Sequence, residues 1–227
     1  MALQPVTGTA YALKPVETLD AEAVGEIRRI YEDGFPAHLR ADFTTLADRP
    51  EHGEAALALV RGPQPCGFAM LRRLGETGWT FLRYFVVDER LRGQGLGGTM
   101  WDKLVAWLRA EGSTLLVFDV EDPDELGCDP AESTVRSRRI GFYQDHGARL
   151  LPVRGYRTPH GSGEQAGWVP MLLMAAPVAP DTPAPGAGDV PAIVSAVYQY
   201  RWRLEPGHPQ VRATQVVHAD SSSQIQE

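Results

Sequence analysis

The sequence predicts an α+β fold built on a mixed sheet, and three observations carry that reading. Apolar, strand-like runs at 55–60, 67–72 and 79–87 follow one another across turn-like stretches at 62–63 and 75–78, which implies an antiparallel meander. Leu96, Met100, Leu104, Val105 and Leu108 then recur at helical spacing with polar residues opposite, and Gly112 supplies a stop. Beyond that helix, residues 114–121 form another apolar run, and a helix between two strands implies a parallel crossover.

The remaining elements follow in chain order. Residues 9–16 read as a first strand, and Asp20 as the N-cap of a helix with Val24, Ile27, Ile30 and Tyr31 on one face, ended by Gly34 ahead of Phe35-Pro36. Residues 37–46 read as a second, shorter helix and 49–53 as a loop. Asp129, Pro130 and Glu132 supply an N-cap, a first-position proline and a third-position glutamate for a helix running to about His146 and stopped by Gly147. The last strand candidates are 149–153 and 168–174, joined by a loop at 155–167. Residues 177–191, PVAPDTPAPGAGDVP, have the composition of a linker. A short apolar and aromatic segment at 192–204 follows, with Tyr198, Tyr200 and Trp202, and then a tail expected to be mobile. The expected organisation is therefore a main domain at 1–176, a linker at 177–191 and an appendage at 192–227, whose aromatic residues favour packing on their own domain.

Bulk properties narrow the function classes. A net charge of -7 and a pI near 5.4 argue against a nucleic-acid partner, which would call for a basic excess. Two cysteines, Cys66 and Cys128, without C-x-x-C spacing, make neither a disulfide framework nor a metal site, and a reducing cytoplasm fits them best. The N-terminus has no basic start followed by an apolar run, and the longest apolar stretch, at 171–176, is far too short to span a bilayer, so no membrane partner is expected.

Chemistry concentrates in one stretch. Between the strand at 79–87 and the helix that follows lies Arg90-Leu91-Arg92-Gly93-Gln94-Gly95-Leu96-Gly97-Gly98, a loop suited to phosphates: its glycines let backbone N–H groups approach a ligand, a helix start adds a positive dipole end, and two arginines add charge. Two cofactors compete for it. Gly93, Gly95 and Gly98 satisfy G-x-G-x-x-G, with Asp119 about 20 residues on, where a dinucleotide site wants a ribose-binding acid. Against a dinucleotide, that fingerprint places its first glycine almost at the strand end, whereas residues 88–92 intervene here and carry two cations. No G-K-[ST] follows, which excludes a Walker loop.

At these residues the chain resembles the GNAT superfamily of acyl-CoA-dependent N-acyltransferases. The family hallmark [QR]-x-x-G-x-[GA], between a strand and a helix, is matched by Arg92-Gly93-Gln94-Gly95-Leu96-Gly97, with the typical valine at Val87. The later helix bearing Phe142-Tyr143 and stopped by Gly147 adds to the match, which spans roughly residues 10–174. The resemblance implies a mostly antiparallel sheet of about seven strands whose central parallel pair splays to admit the cofactor, flanked by about four helices. It implies acetyl-CoA, or another short acyl-CoA, as co-substrate, with its pyrophosphate on the backbone of Arg92, Gly93, Gln94, Gly95, Leu96, Gly97 and Gly98. Phe85, Val86 and Val87 would pair with the pantetheine arm, and an N–H near Val86 or Val87 would polarise the thioester carbonyl. The alternative for those three side chains is plain core strand.

Tyr143 matches the tyrosine that in many family members protonates the departing thiolate; the alternative is a core aromatic. The family helix often reads N-x-x-A-x-x-x-Y, but Arg136 and Arg139 stand at the asparagine and alanine positions here. Arg136, Arg138 and Arg139 either reach coenzyme A phosphates or form a solvated basic face. An attacking amine must be neutral, so a base is needed, and Glu121 and Asp119 share one face of their strand by period-2 alternation. Each is a base candidate, the alternative being a surface acid at a strand end. Tyr84 and Glu32 are weaker ones, and Phe35, His38, Arg40 and Trp79 are candidate acceptor-pocket residues that equally suit structural roles. The function expected is transfer of an acetyl or other short acyl group to a small-molecule amine without a covalent cysteine. Alternatives are an acyl-CoA-binding sensor or interaction module without turnover, and a nicotinamide-dinucleotide enzyme. A homodimer is compatible with the sequence.

Overall fold

Asp20 Oδ1 accepts the N–H of Ala23 at 2.8 Å, and this cap starts helix α1 (Ala21–Gly34), which buries Ile27, Ile30 and Tyr31 as its apolar spacing requires. The computed structural model describes residues 10–37, 40–47, 51–160, 167–179 and 181–217. The chain divides into two compact units, Met1–Met70 with Tyr84–Trp107, and Leu71–Arg83 with Leu108–Glu227.

The first unit holds strand β1 (Tyr11–Pro15), α1, a short helix α2 (Phe43–Ala47), strand β2 (Glu54–Arg61), most of β3 (Gln64–Arg73), the end of β4 (Trp79–Val87) and the greater part of helix α3 (Leu96–Ala110). β1 pairs antiparallel with β2, Tyr11 opposite Arg61 and Pro15 opposite Leu57. The ring of Tyr31 lies at the centre of the core, 5.0 Å from Tyr84, 5.5 Å from Phe68 and 5.7 Å from Phe43.

The helix expected at 37–46 begins only at Phe43. Tyr31 Oη donates to Ala41 O and Tyr84 Oη accepts from Ala41 N, both at 3.0 Å, so the backbone at Ala41 serves two buried phenols and cannot serve a helix. Asp42 Oδ1 then caps α2 by accepting the N–H of Thr44 at 2.9 Å. His38 lies outside the described residues.

The second unit holds the start of β4, strand β5 (Leu115–Glu121), helix α4 (Pro130–Asp145), strands β6 (Arg149–Leu150), β7 (Val153–Arg154), β8 (Arg157–His160) and β9 (Gly167–Pro177), helix α5 (Val190–Ala196), a π-helical turn (Val197–Arg201), helix α6 (Pro209–Ala213) and strand β10 (Gln215–Val216). β4 and β5 are parallel, Trp79 opposite Leu115 and Phe81 opposite Val117, while β5 runs antiparallel to β9 from Leu115 opposite Pro177 to Glu121 opposite Met171. The main sheet has eight strands in the order β1-β2-β3-β4-β5-β9-β6, with β8 on β9. The fold is thus α+β, with a mostly antiparallel sheet and a parallel β4-β5 pair.

Local chemistry sets the ends of these elements. α3 closes at Gly112, whose φ of 76° lets its N–H reach Arg109 O while Ser113 N reaches Leu108 O. α4 starts on Asp129, whose Oδ1 accepts the N–H of Ala131; Glu132 pairs with Arg136. The single strand expected at 149–153 is two, β6 on β9 and β7 on β10, because Pro152 between them has no N–H for a continuous ladder. Residues 190–217 form α5, the π turn, α6 and β10, and bury Val190, Ile193, Val197 and Tyr198 against Leu74, Phe81 and Leu173. The tail beyond 217 lies outside the described residues, and among those described no helix is long and apolar enough to cross a membrane.

Candidate active site

In the first unit the chain leaves β4 at Asp88, a carboxylate only 2% exposed that caps a 3-10 turn (Glu89–Leu91) by accepting the N–H of Arg90 at 3.0 Å. Asp88 also accepts from the guanidiniums of Arg90 at 2.6 Å and Arg29 at 2.8 Å, and Glu26 takes both arginines as well. The Arg90 guanidinium beside it, with Arg29, holds Asp88 below the usual carboxylate range. Arg90 is therefore committed to the base of the loop, where it fastens the turn to α1.

The loop proper, residues 92–98, contains no acidic side chain, and Arg92 is exposed. Gly93 and Gly95 adopt φ of 78° and 72°, with open space where a Cβ would stand, so backbone conformation and not lack of room asks for glycine there. Thr99 N makes the first helical bond of α3, to Gly95 O at 3.1 Å, so the N–H groups of Leu96, Gly97 and Gly98 precede the helical ladder. Such donors, a positive dipole end and Arg92 suit a pyrophosphate. Gly67 keeps α3 tight against β3 in this unit: a Cβ there would stand 2.7 Å from Met100 Sδ and 2.8 Å from Val86 O.

In the second unit, β5 carries Asp119 and Glu121. Glu121 is ion-paired with Arg139 and, at 3.3 Å, with Arg136. Arg136 also binds Glu125 and Asp122 O, each at 2.8 Å, so the arginines at the expected cofactor helix face are taken up by acids of the chain itself. Asp119 is half-buried and meets Tyr156, whose hydroxyl donates to Oδ2 at 3.1 Å. Burial pushes the Asp119 carboxyl up to about 6, against the opposing pull of the Arg201 charge and the Tyr156 hydrogen bond. Tyr143 on α4 is buried with its ring 4.5 Å from that of Phe118, and burial pushes its phenol up to about 12, opposed by Arg139.

The sequence profile of the acetyltransferase (GNAT) family matches residues 24–128, the stretch from α1 through the glycine loop to β5. Residues 24–128 are thus the part of the chain that matches a GNAT acetyltransferase domain. Among solved structures, a protein assigned to the GNAT acetyltransferases from Bacteroides thetaiotaomicron aligns with a TM-score of 0.67 at 20% identity, over 85% of this chain and 99% of its own. An aminoglycoside 6'-N-acetyltransferase complexed with coenzyme A gives 0.55 at 16% identity, over 77% and 99%. A ribosomal-protein alanine N-acetyltransferase from Escherichia coli gives 0.51 at 17%, over 75% and 95%. At these identities the likeness is one of fold, and the last two differ in acceptor, so the fold brings no acceptor with it. No curated protein sequence matches the chain.

The other residues singled out in the GNAT sequence pattern take ordinary places. Val86 is buried, and a Cβ on Gly34 would stand 2.4 Å from its Cγ2; Phe85 and Val87 are half-buried, Phe85 with its ring 5.9 Å from Trp101. Arg40 closes the C-terminal end of α1 by donating to Glu32 O and Phe35 O, and Glu32 pairs with Arg28 on the surface. Trp79 packs at the edge of the second unit's core, and His146 Nδ1 meets Phe142 O at 2.7 Å. Sequence reasoning missed Asp88, Tyr156, Arg201 and Trp202. Asp88 had a local signal, an Asp two residues ahead of the backbone N–H it caps; the other three had none, because Tyr156 and Arg201 act on the remote Asp119 and Trp202 bonds the remote Tyr156.

Proposed function

We propose that the chain transfers an acetyl or another short acyl group from acyl-CoA to the amine of a small molecule by direct attack, with Asp119 as general base. The observation that carries this reading is Asp119 itself: a half-buried carboxyl pushed to about 6 is ionised at neutral pH yet basic enough to accept a proton there. Glu121, the other candidate, has two arginines on its carboxylate.

Acyl-CoA supplies an activated acyl carbon as a thioester. Residues 92–98 hold its pyrophosphate through backbone N–H groups and Arg92, and the N–H of Val86 or Val87 is the candidate donor to the thioester carbonyl. Asp119 takes the proton that the amine loses as its nitrogen bonds to the acyl carbon and the C–S bond breaks. Tyr143 donates a hydrogen bond to the departing sulfur. Full proton transfer from a phenol near 12 to a thiolate of ordinary value is uphill by about 5 kcal/mol, so a hydrogen bond and not a transferred proton is its contribution. Free thiol released by the full chain with acetyl-CoA and a panel of small amines tests this function. Amine-dependent release that Asp119→Asn abolishes supports it, and binding of acetyl-CoA with no turnover on any amine of the panel counts against it and for a binding module.

A further inference from the structure

Resting on the reading of Asp119 as the base, we propose that Tyr156, Arg201 and Trp202 are positioning residues for it, so that the segment after the linker completes the catalytic apparatus. All three lie beyond the residues matched by the family profile. Trp202 Nε1 donates to Tyr156 Oη at 3.2 Å, and Tyr156 Oη lies 3.1 Å from Asp119 Oδ2. An indole N–H can only donate, so it occupies a lone pair of the phenol and leaves the phenolic hydrogen to Asp119. The direction of the hydrogen bonds is thereby fixed, from Trp202 through Tyr156 to Asp119 Oδ2.

Arg201 stacks over the Trp202 ring at 3.9 Å and lies 5.8 Å from the Phe81 ring on β4. Tyr156 and Arg201 act on Asp119; on β4, Arg83 is a further charged residue, two positions past Phe81, whose partner is Val117; Tyr198 stands behind Tyr156 at 5.3 Å, and β9 offers apolar Leu173 opposite Asp119. The backbone that delivers Arg201 and Trp202 is unusual. A π-helical turn ends at Arg201, Trp202 N bonds Val197 O at 3.2 Å, and Arg203 is a non-glycine residue at φ 57° before Leu204 N returns to Tyr198 O at 2.9 Å. π turns and left-handed non-glycine residues concentrate at functional sites. The turn is also seated firmly, since Tyr198 Oη meets Thr214 Oγ1 at 2.8 Å and a Cβ on Gly75 would stand 2.5 Å from the Tyr200 ring.

Both the Arg201 charge and the Tyr156 hydrogen bond favour the ionised carboxylate, so removing either raises the value at which Asp119 titrates. The test follows the Asp119 carboxyl by carbon NMR in the full chain, assigned with Asp119→Asn, alongside the pH profile of kcat/KM for the best amine. Arg201→Gln and Tyr156→Phe should each move the titration and the acid limb together to higher pH by half a unit or more, about a threefold loss of rate on the acid side. Arg201→Lys, which keeps the charge, should hold the parent position. A titration unmoved in both Arg201→Gln and Tyr156→Phe overturns the positioning role. A titration that moves while the acid limb stays overturns the base reading beneath it.

Discussion

Phe118 and Tyr143 pack ring against ring at 4.5 Å, tilted by 52°, which fixes the phenol of α4 against the strand that carries Asp119 and Glu121. The ring is held by packing, so replacing Tyr143 by Phe removes only the hydroxyl. The expected outcome is a kcat lowered by about 10²- to 10³-fold, the range for loss of one transition-state hydrogen bond. The melting temperature should stay within a few degrees. Because burial pushes this phenol up to about 12, the parent should show no alkaline loss of rate from Tyr143 below about pH 11. An unchanged kcat in Tyr143→Phe would assign the residue to the core alone.

As the proposed base, Asp119 would link activity to stability. Its folded value, about 6, lies above the ordinary 3.8, so the stability it contributes is present below the unfolded value and is lost as pH rises through about 6. Asp119→Asn keeps an acceptor for Tyr156 and cannot ionise. It should lower kcat by about 10²- to 10⁴-fold and yet be more stable than the parent at pH 8, by at most about 3 kcal/mol. At pH 4 the two should unfold alike. A stability difference of equal size at both pH values would show that Asp119 is not desolvated as described.

What the sequence made legible was local. Asp20 and Asp129 cap helices as their positions required, because a cap reads its own chain two or three residues on. β4 and α3 were likewise visible as periodic patterns. The charges were less legible. Arg90 read as a cation of the phosphate loop, but its partner Glu26 lies 64 residues earlier, and no local pattern reports that distance. Arg139 read either as a phosphate ligand or as part of a solvated basic face, and its guanidinium sits on Glu121. The surroundings of Asp119 were hidden for the same reason: Tyr156 is 37 residues away, and Arg201 comes from a segment whose composition announced only aromatics after a linker.

The Asp88 cluster is expected to matter more for stability than any surface pair. Asp88 is nearly inaccessible and serves two guanidiniums and a backbone N–H, so Asp88→Ala leaves Arg29 and Arg90 without it. A loss of about 2 to 3 kcal/mol in urea unfolding at pH 7 is expected. Because the folded value is depressed, that contribution is present above the unfolded value and fades as pH falls through the folded one. The penalty should therefore shrink in acid. A variant as stable as the parent at pH 7 would reduce the cluster to solvated charges.

Gly67→Ala tests the seating of α3. The added methyl would meet Met100 Sδ and the backbone oxygen of Val86, and only the first of these can swing away. The expected cost is about 1 to 3 kcal/mol. In a double-mutant cycle with Met100→Ala the two changes should couple by at least about 0.5 kcal/mol, since the shortened side chain removes one of the two clashes. Additive costs would place the strain elsewhere.

Gly93→Ala and Gly95→Ala separate the shape of the loop from its room. Neither methyl meets an atom within 4 Å, so the cost comes from φ alone, about 1 to 2 kcal/mol for a left-handed L-residue. Asparagine tolerates that region better than alanine, and Gly93→Asn should be the milder change in stability. Ligand-induced stabilisation reports binding independently of that cost: at about 100 times Kd a ligand adds about 2.7 kcal/mol. Acetyl-CoA should raise the parent melting temperature accordingly and raise those of the alanine variants by clearly less. KM for acetyl-CoA should rise while kcat at saturation is largely kept, because in the proposed reading these backbone N–H groups hold the substrate end remote from the reacting carbon. If acetyl-CoA stabilises both alanine variants as strongly as the parent, the loop at 92–98 does not hold the pyrophosphate.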